Sequence, residues 1–439
     1  MTPNNKIRVR FAPSPTGLFH IGSARTTLFN YLFAKHNKGD FILRIEDTDK
    51  QRSKKEFEKD ILDGIKWLEI KWDEIYYQSK RTKIYEKYLK QLLDSGKAYK
   101  KEIIWFKNPD KQVVFNDLIR DRLEVDSSVL GDFSIAKDLK TPLYNFAAVV
   151  DDHEMNISHV IRGEDHITNT PKQILIYEAL GWKLPQFAHL PLILGPDRSK
   201  LSKRHGAVSL VDYKKQGYLP EAMVNFMALL GWSAQGRSAS GGNPHADELF
   251  TLNQLIQKFS LEKIQKGGAI FNIDKLNWYN SYYLRQKPIQ ELIKLCLPYL
   301  PKKINLGKKD LEKIINLEKE RMAKLSEIGE ATEFFFKEPK LKPDLLPWKQ
   351  MSISDTSTSL ANTISILCDI KDGDFRVDKL KAILVPAAEK FGNGDRGKLL
   401  WPMRVALSGR DKSPGPFEIA EILGKKKTLE RIKKARGLL

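Results

Sequence analysis

The feature that most constrains this chain is the alternation in its first eighty residues. Residues 6–12 (IRVRFAP) alternate as a strand does and break at Pro13-Ser-Pro-Thr-Gly17. A helical spacing of apolar residues follows from about Ala24 to Lys38, with Ala24, Leu28, Tyr31 and Leu32 on one face, and Gly39 stops it. Residues 41–45 (FILRI) read as a second strand, closed by Glu46-Asp47-Thr48-Asp49. Ser53-Lys-Lys-Glu56 has the pattern of a capping box opening a helix toward Trp67. Strand, helix, strand, helix is how a doubly wound parallel sheet of the Rossmann type begins.

The alternation is then interrupted. A helix is expected over 80–96, ending at Ser95-Gly96, and residues 97–142 lose any regular pattern, as an inserted module would. Residues 143–150 (LYNFAAVV) and 159–162 return to strand character, 171–180 make a helix with proline at its start, and 187–194 (FAHLPLIL) read as one more buried strand. Gly236 to Gly242 is a Gly/Ser-rich loop. Beyond it the patterns are mainly helical, at 251–259, 289–299, 310–328, 378–391 and 416–434. The expected organisation is therefore an α/β domain in two halves, 1–79 and 143–235, split by an insert at 80–142. A helical stretch at 236–300 and an all-helical region at 301–439 follow.

Charge narrows the partners. Lys plus Arg number 74 against 55 Asp plus Glu, a formal net charge of +19, which suits a polyanion and nucleic acid first. A merely solvated lysine-rich surface is the bland alternative. No apolar run approaches the length of a membrane span, and the start of the chain has no secretory stretch. The two cysteines, Cys296 and Cys368, form neither a disulfide framework nor a metal spacing, and a cytoplasmic type of compartment is expected.

Two short segments carry chemistry. His20 stands just before a helix start, where free amide donors and a positive dipole favour phosphate. Its imidazole could bond phosphate oxygens as charge shifts onto a leaving group, or it could simply cap the helix. Lys200-Leu-Ser-Lys203-Arg204 follows a turn at Gly195-Pro-Asp-Arg198, and two lysines three apart can meet one polyphosphate if the loop curls. A solvated basic loop is the alternative.

The pair is more specific than either part. His20-Ile-Gly22-Ser23 on a first strand-to-helix turn resembles the HIGH element of class I aminoacyl-tRNA synthetases, and Lys200 to Arg204 resembles their KMSKS loop. The resemblance narrows to glutamyl-tRNA synthetases through Arg8 to Gly17, Leu43 to Asp49, Tyr144-Asn-Phe-Ala147, Val160 to His166, Lys200 to Gly206, Leu229-Leu-Gly-Trp232, Phe271 to Trp278 and Trp401 to Gly409. It spans nearly the whole chain.

That resemblance implies a glutamate–tRNA ligase acting with ATP and Mg²⁺ on L-glutamate and on tRNA(Glu), with tRNA(Gln) as a further acceptor to test. It places Pro13, Thr16, Gly17, His20, Gly22, Ser23, Lys200, Ser202, Lys203 and Arg204 around ATP, with His20, Lys200 and Lys203 stabilising the triphosphate. It places Arg10, Ala12, Ser14, Glu46, Tyr144 and Arg162 around glutamate. By chemical type, Arg10 and Arg162 suit carboxylates, Tyr144 adds a hydroxyl and Glu46 suits an ammonium. Arg10 and Arg162 could instead pair with Asp47, Glu164 or Asp165, and Tyr144 could be core. In the helical region Phe375, Trp401, Arg404, Lys425 and Arg431 are candidates, by type alone, for contacts to tRNA bases and phosphates.

One departure stands out. Many bacterial members carry a zinc cluster after an Ala-Tyr pair in the insert, whereas Ala98-Tyr99 here is followed by Lys100-Lys101-Glu102 and no cysteine. A structural zinc needs four good ligands, so no protein-bound zinc is expected. A monomer is expected. The rival readings are another HIGH-superfamily nucleotidyltransferase and a catalytically silent synthetase-like RNA-binding protein.

Overall fold

The computed structural model describes residues 6–202, 204, 209–234, 248–302 and 307–439. The chain divides into two compact units, Met1–Tyr279 and Asn280–Leu439, each treated by itself.

The first unit begins β1 (Arg8–Phe11), α1 (Ile21–His36), β2 (Asp40–Ile45), α2 (Lys55–Trp67), β3 (Glu74–Tyr77) and α3 (Thr82–Asp94). Six strands follow: β4 (Ala98–Lys100), β5 (Ile104–Phe106), β6 (Gln112–Asp117), β7 (Asp121–Asp126), β8 (Phe133–Asp138) and β9 (Thr141–Pro142). The unit continues α4 (Tyr144–Glu154), β10 (His159–Gly163), α5 (Thr170–Ala179), β11 (Gln186–Leu190), β12 (Ile193–Leu194), α6 (Leu210–Lys215), α7 (Pro220–Ala228), α8 (Leu252–Lys258) and β13 (Ala269–Ile270). Helix α9 (Ile273–Gln286) contains the division between units.

The main sheet has seven strands in the order β3-β2-β1-β10-β11-β6-β7. Neighbours are parallel from β3 through β6, and the β6–β7 hairpin is antiparallel. From β1 the chain winds outward to β2 and β3, then returns to lay β10 and β11 on the other side. The β1–β10 gap is therefore a topological switch point, where doubly wound sheets bind ligands beyond the carboxyl ends of their strands.

The six strands at 98–142 are where sequence periodicity said least. They are two to six residues long, and only β6 shows a clean alternation of exposed and buried positions. Strands β4, β5, β8 and β9 form a separate antiparallel sheet, while β6 and β7 extend the main one. The insert is thus partly fused to the catalytic sheet. One apolar cluster runs through Ile42, Tyr85, Phe106, Phe115, Phe146, Val160 and Phe187 without a break between them.

Three local expectations are corrected. Residues 143–150 are not a strand but the start of α4, in which Phe146 through Asp152 are all buried. A continuous apolar run does not distinguish a buried strand from a buried helix. The stretch 187–194 splits into β11 and β12 around Pro191, which lacks the N–H a continuing strand needs. The capping box at Ser53 does not form: α2 is capped by Lys54 without a side-chain bond, and the Ser53 Oγ is buried without a partner.

The second unit is helical: α10 (Ile289–Cys296), α11 (Lys308–Lys319), α12 (Glu327–Phe336), α13 (Ile353–Asp369), α14 (Val377–Gly392), α15 (Gly397–Ser408) and α16 (Pro416–Arg436). The helix expected over 310–328 is two helices, α11 and α12. Helix α13 escaped notice because ISDTSTS is poor helix-forming sequence. Its hydroxyls are satisfied inside the helix, with Thr356, Thr358 and Thr363 each donating to the carbonyl four residues back. A true capping box at Ser352 and Asp355 starts it.

The first unit is keyed by a charged core. Arg44 on β2 is fully buried, with Nη1 2.6 Å from Asp152, Nη2 3.1 Å from Glu46 and Nε 3.7 Å from Asp151. Arg44→Ala would leave these carboxylates buried without their shared counter-ion, a loss of roughly 3–5 kcal/mol. Chemical denaturation is expected to show the first unit unfolding at much lower denaturant in R44A, and an unmoved midpoint would contradict this role.

Candidate active site

A cleft of about 2080 Å³ opens over the carboxyl ends of β1 and β10. That exceeds the 300–1,000 Å³ or so of an ordinary small-molecule pocket, and leaves room for a nucleotide, an amino acid and a further chain end. Arg10, Ala12, Pro13, Ser14, Thr16, Gly17, His20, Gly22, Ser23, Glu46, Tyr144, Arg162, Lys200 and Ser202 all line it. Arg204 does not line it: its Nη2 donates to Ser199 at 2.6 Å and to Asp197 at 3.3 Å, bracing the turn before the loop. Lys203 lies outside the described residues, as does the Gly236–Gly242 loop.

One end of the cleft suits phosphate. His20 caps α1, its Nδ1 accepting from the Ser23 amide at 3.2 Å and its Nε2 lying 3.0 Å from the Ser23 hydroxyl. The capping alternative is thus observed, and the capped ring still lines the cleft beside the free amides of the helix start. The lysine loop is folded by a turn in which Gly195 N donates to Ser199 O and Leu201 N to Ile193 O. This sets the Lys200 ammonium 3.9 Å from Asp165 on the wall of the same cleft. Gly17 has open space where a Cβ would stand, so nothing blocks close approach to that backbone.

The other end is a lattice of guanidinium and carboxylate groups. Arg10 forks onto Asp152, Nε at 2.9 Å and Nη2 at 3.3 Å. Asp152 also receives Arg44, while Asp151 receives Arg81 Nε at 2.7 Å, Gln78 and the Tyr85 hydroxyl. Burial alone would raise Asp152, but Arg10 and Arg44 outweigh it and hold the carboxyl below its ordinary value. Glu46 Oε1 accepts from Arg44, and the side chain lines the cleft with its second oxygen available to a cationic ligand group. Ser14 Oγ donates to the Glu46 carbonyl, tying the first turn to the end of β2.

Arg162 differs from the other guanidiniums. It is 5% exposed, and its three donor positions go to neutral acceptors: His189 Nε2 at 3.1 Å, Gln173 Oε1 at 2.9 Å and Thr170 Oγ1 at 2.8 Å. Arg10, Arg44 and Arg81 pair directly with Glu46, Asp151 and Asp152, and Arg162 takes part in none of these ion pairs. Burial, with Arg10 nearby, lowers the Arg162 pKa from its ordinary value against the opposing pull of Tyr144 and Asp152. The pairing of Arg10 or Arg162 with Asp47, Glu164 or Asp165 does not occur. Asp47 instead accepts from Ser79, and Glu164 from Arg120 and the Leu192 amide. Tyr144 is 39% exposed into the cleft rather than core, its hydroxyl 3.0 Å from His166 Nδ1.

Several site residues were not singled out in the sequence, although Arg44 and His166 lie within segments that carry the family resemblance. Arg44, Asp151 and Asp152 act only once α4 is known to be a helix lying against β1 and β2. His166, pushed down to about 4 by burial and then by Arg162, closes the Val160 to His166 segment but was given no role there. Arg25 is buried with donors on the Leu230 and Pro191 carbonyls, clasping α1 to the loops beside the cleft.

In the helical unit the structure redraws the candidates. Phe375 is buried in the apolar core, Lys425 holds the carbonyls of Cys368 and Ile370, and Arg431 those of Leu407, Phe334 and Lys337. Phe375 thus serves the core, and Lys425 and Arg431 serve backbone carbonyls near helix ends, which need donors. Trp401 and Arg404 form a half-buried platform, with the guanidinium 4.4 Å from the ring centre.

Comparison with known proteins agrees with this architecture. The family model of the class I tRNA synthetase (E and Q) catalytic domain matches residues 6–104 and 100–278, and that of an anticodon binding domain matches residues 291–436. The chain therefore belongs to the class I tRNA synthetases, in the branch that comprises the glutamate and glutamine (E and Q) enzymes. Within that branch it is 40% identical to glutamate–tRNA ligase 2 of Thermoanaerobacter pseudethanolicus, over 98% of both chains. It is 38% identical to the glutamate–tRNA ligase of Desulforamulus reducens, over 98% of this chain and 99% of that one. A crystal structure of a glutamate tRNA ligase from Elizabethkingia meningosepticum, in complex with its amino acid, superposes with a TM-score of 0.85 at 32% identity, covering 99% of this chain and 100% of that one.

Enclosure in the cleft, and next the Lys200 ammonium, hold the His20 imidazole below its ordinary pKa, so it is neutral at pH 7. An NMR titration is expected to place its midpoint under the unperturbed histidine value of about 6.5. Lys200→Ala is expected to move the midpoint upward by removing a repelling charge. A midpoint unmoved by K200A would mean that the loop and the helix start do not share the cleft in solution.

Proposed function

We propose that this chain is a glutamate–tRNA ligase that joins L-glutamate to the 3′-terminal adenosine of tRNA(Glu) at the expense of ATP. The observation that carries the assignment is the Arg162 end of the cleft, a buried positive charge with neutral partners only, beside a phosphate-suited helix start. An amino acid with two carboxylates and one ammonium brings one net negative charge, and one of its carboxylates gives this guanidinium a direct anionic partner.

The reaction runs in two steps. The α-carboxylate of glutamate attacks the α-phosphate of ATP, forming glutamyl-adenylate and releasing pyrophosphate. The 2′-hydroxyl of the terminal adenosine then attacks the adenylate carbonyl and expels AMP. No side chain is a nucleophile; the protein aligns reactants and stabilises charge. His20 and Lys200, with Lys203, take the charge that develops on the triphosphate, and Mg²⁺ enters with the ATP phosphates. Glu46 receives the ammonium, while Arg10, Arg162 and Tyr144 hold the carboxylates.

In this reading residues 80–142 hold the acceptor end of tRNA, 236–300 contact its stem, and 301–439 read the anticodon, with Trp401 and Arg404 as the platform for unstacked bases. The enzyme acts as a monomer in the cytoplasm, and its insert works without zinc. Among the described residues no group of three or more His, Cys, Asp or Glu is placed to hold a metal ion, and no described helix is long and apolar enough to cross a membrane.

Arg162→Ala is expected to abolish glutamate activation at ordinary glutamate concentrations while the KM for ATP stays near wild type. The reason is that truncating one partner of a buried charge pair costs roughly 2–5 kcal/mol or more. Glutamate-dependent ATP–pyrophosphate exchange, with tRNA present, measures both constants, and unchanged glutamate kinetics would refute the assignment. Aminoacylation of purified tRNA with radiolabelled glutamate is expected to charge glutamate acceptors, and scoring glutamine acceptors alongside decides whether those are charged too. Failure to charge any tRNA would sink the function, and stoichiometric zinc in the same preparation would overturn the account of the insert.

A further inference from the structure

The donors of Arg162 lead away from the cleft into a buried chain that the reaction as described leaves unused. His189, on β11, accepts from Arg162 Nε through its own Nε2 at 3.1 Å, and its Nδ1 lies 2.6 Å from Asp117 Oδ2. His189, Asp117 and Thr170 are 0%, 4% and 0% exposed. Asp117 ends β6, so it belongs to the hairpin of the insert rather than to either half of the catalytic sheet's own sequence.

The hydrogen bonds are mutually consistent in one protonation pattern. Arg162 is donor-only, so His189 Nε2 must be a bare lone pair. Arg162 Nη2 donates to Thr170 Oγ1, whose own proton goes to the His166 carbonyl at 3.4 Å, leaving the Nε2 lone pair to Arg162. The ring proton therefore sits on Nδ1 and is given to Asp117. Asp117 is itself fixed: Oδ1 accepts from the amides of Ile119 and Arg120, both at 2.9 Å, the His189 amide lies 3.2 Å from each oxygen, and Oδ2 also faces the ring. A carboxylate sets the tautomer of an imidazole, and the imidazole in turn sets a guanidinium, the logic by which outer partners orient the groups that touch a ligand.

We propose that Asp117 and His189 are positioning residues for glutamate recognition. In this role the β6–β7 hairpin of the insert, through the His189 tautomer, holds Arg162 in the orientation that receives a substrate carboxylate. The inference rests on the assignment of Arg162 to that carboxylate. It goes further in making selection of the amino acid depend on a residue supplied by the insert.

The sharpest test is Asp117→Asn. The amides of Ile119 and Arg120 keep the asparagine oxygen on their side, so its NH₂ group replaces Oδ2 and points at Nδ1. The ring must then accept at Nδ1 and carry its proton on Nε2, donor against donor with Arg162. His189→Leu removes the acceptor altogether. His189→Gln offers an amide oxygen near the place of Nε2, whereas His189→Asn reaches only toward Asp117.

Glutamate-dependent ATP–pyrophosphate exchange, with tRNA present, is measured for D117N, H189L, H189Q, H189N and R162A, with thermal unfolding of each as the check on folding. A hydrogen bond to a charged group is worth about ten- to a hundredfold in binding. The KM for glutamate is expected to rise by that order in D117N, H189L and H189N, with the KM for ATP unchanged, and H189Q is expected to recover most of the loss. If H189L does not fold, D117N and the contrast of H189Q with H189N carry the test. Unchanged glutamate KM in D117N, or glutamate and ATP KM rising together in the folded variants, overturns the proposal. If R162A abolishes glutamate use while D117N leaves it untouched, only this inference falls. If R162A itself leaves the glutamate KM unchanged, the assignment beneath it falls.

Discussion

The site depends on one buried interaction, the bridge that Asp152 makes between Arg10 and Arg44. Arg10 lies on β1 and Arg44 on β2, and Asp152 comes from the far end of α4, about 140 residues later in the chain than Arg10. Three buried charges in contact are expensive to desolvate, and a hydrophobic cluster of the same shape would often be as stable. Their value lies in definition. A lattice of forked guanidiniums admits few geometries, so it fixes where α4 crosses the strands. That in turn fixes Tyr144 at the start of α4 and Glu46 at the end of β2, on the rim of the same cleft.

The phosphate end is built by different means. Its positive character comes from a helix start, open backbone at Gly17 and a loop lysine, none of which is deeply buried. Such a surface suits a large, hydrated anion, whereas the other end is a lattice of buried guanidinium and carboxylate groups. Both ends meet at the β1–β10 switch point because strands there diverge and leave a crevice that helices cannot fill. The topology thus supplies the cleft, and the side chains divide it into two chemical environments.

What the sequence revealed follows the same division. The short motifs at Pro13 to Ser23 and Lys200 to Ser202 are local: a turn, a helix start and a loop place their own residues, so they could be read along the chain. Arg10, Glu46 and Arg162 were found by chemical type together with family resemblance. Their partners were not, because Asp152, His189 and Asp117 acquire meaning only through pairings across the sheet. The reading of 143–150 as a strand hid the most. Seven consecutive buried positions look alike in either conformation, yet only a helix carries Asp151 and Asp152 back beneath β2. In the helical unit, residue type misled for Phe375, Lys425 and Arg431, since an aromatic ring or a cation serves a core or a helix end as readily as it serves a nucleic acid.

Discrimination between glutamate and glutamine can be argued from the charges alone. Size gives little, since the two side chains are nearly isosteric. In the proposed assignment, an amide in place of the carboxylate leaves the buried Arg162 cation without a direct anionic partner and sets its NH₂ donors against guanidinium donors. A site built around a specific polar partner rejects an analogue lacking it far more strongly than an apolar pocket rejects a missing methylene. Neutral partners for Arg162 are what make this possible. Had its donors ended on Glu164 or Asp165, the charge would already be cancelled and the pocket would have little preference. The uncharged state of His189, held by burial first and then by the Arg162 charge against the opposing pull of Asp117, is in the proposed assignment therefore as much part of the specificity as the arginine it orients.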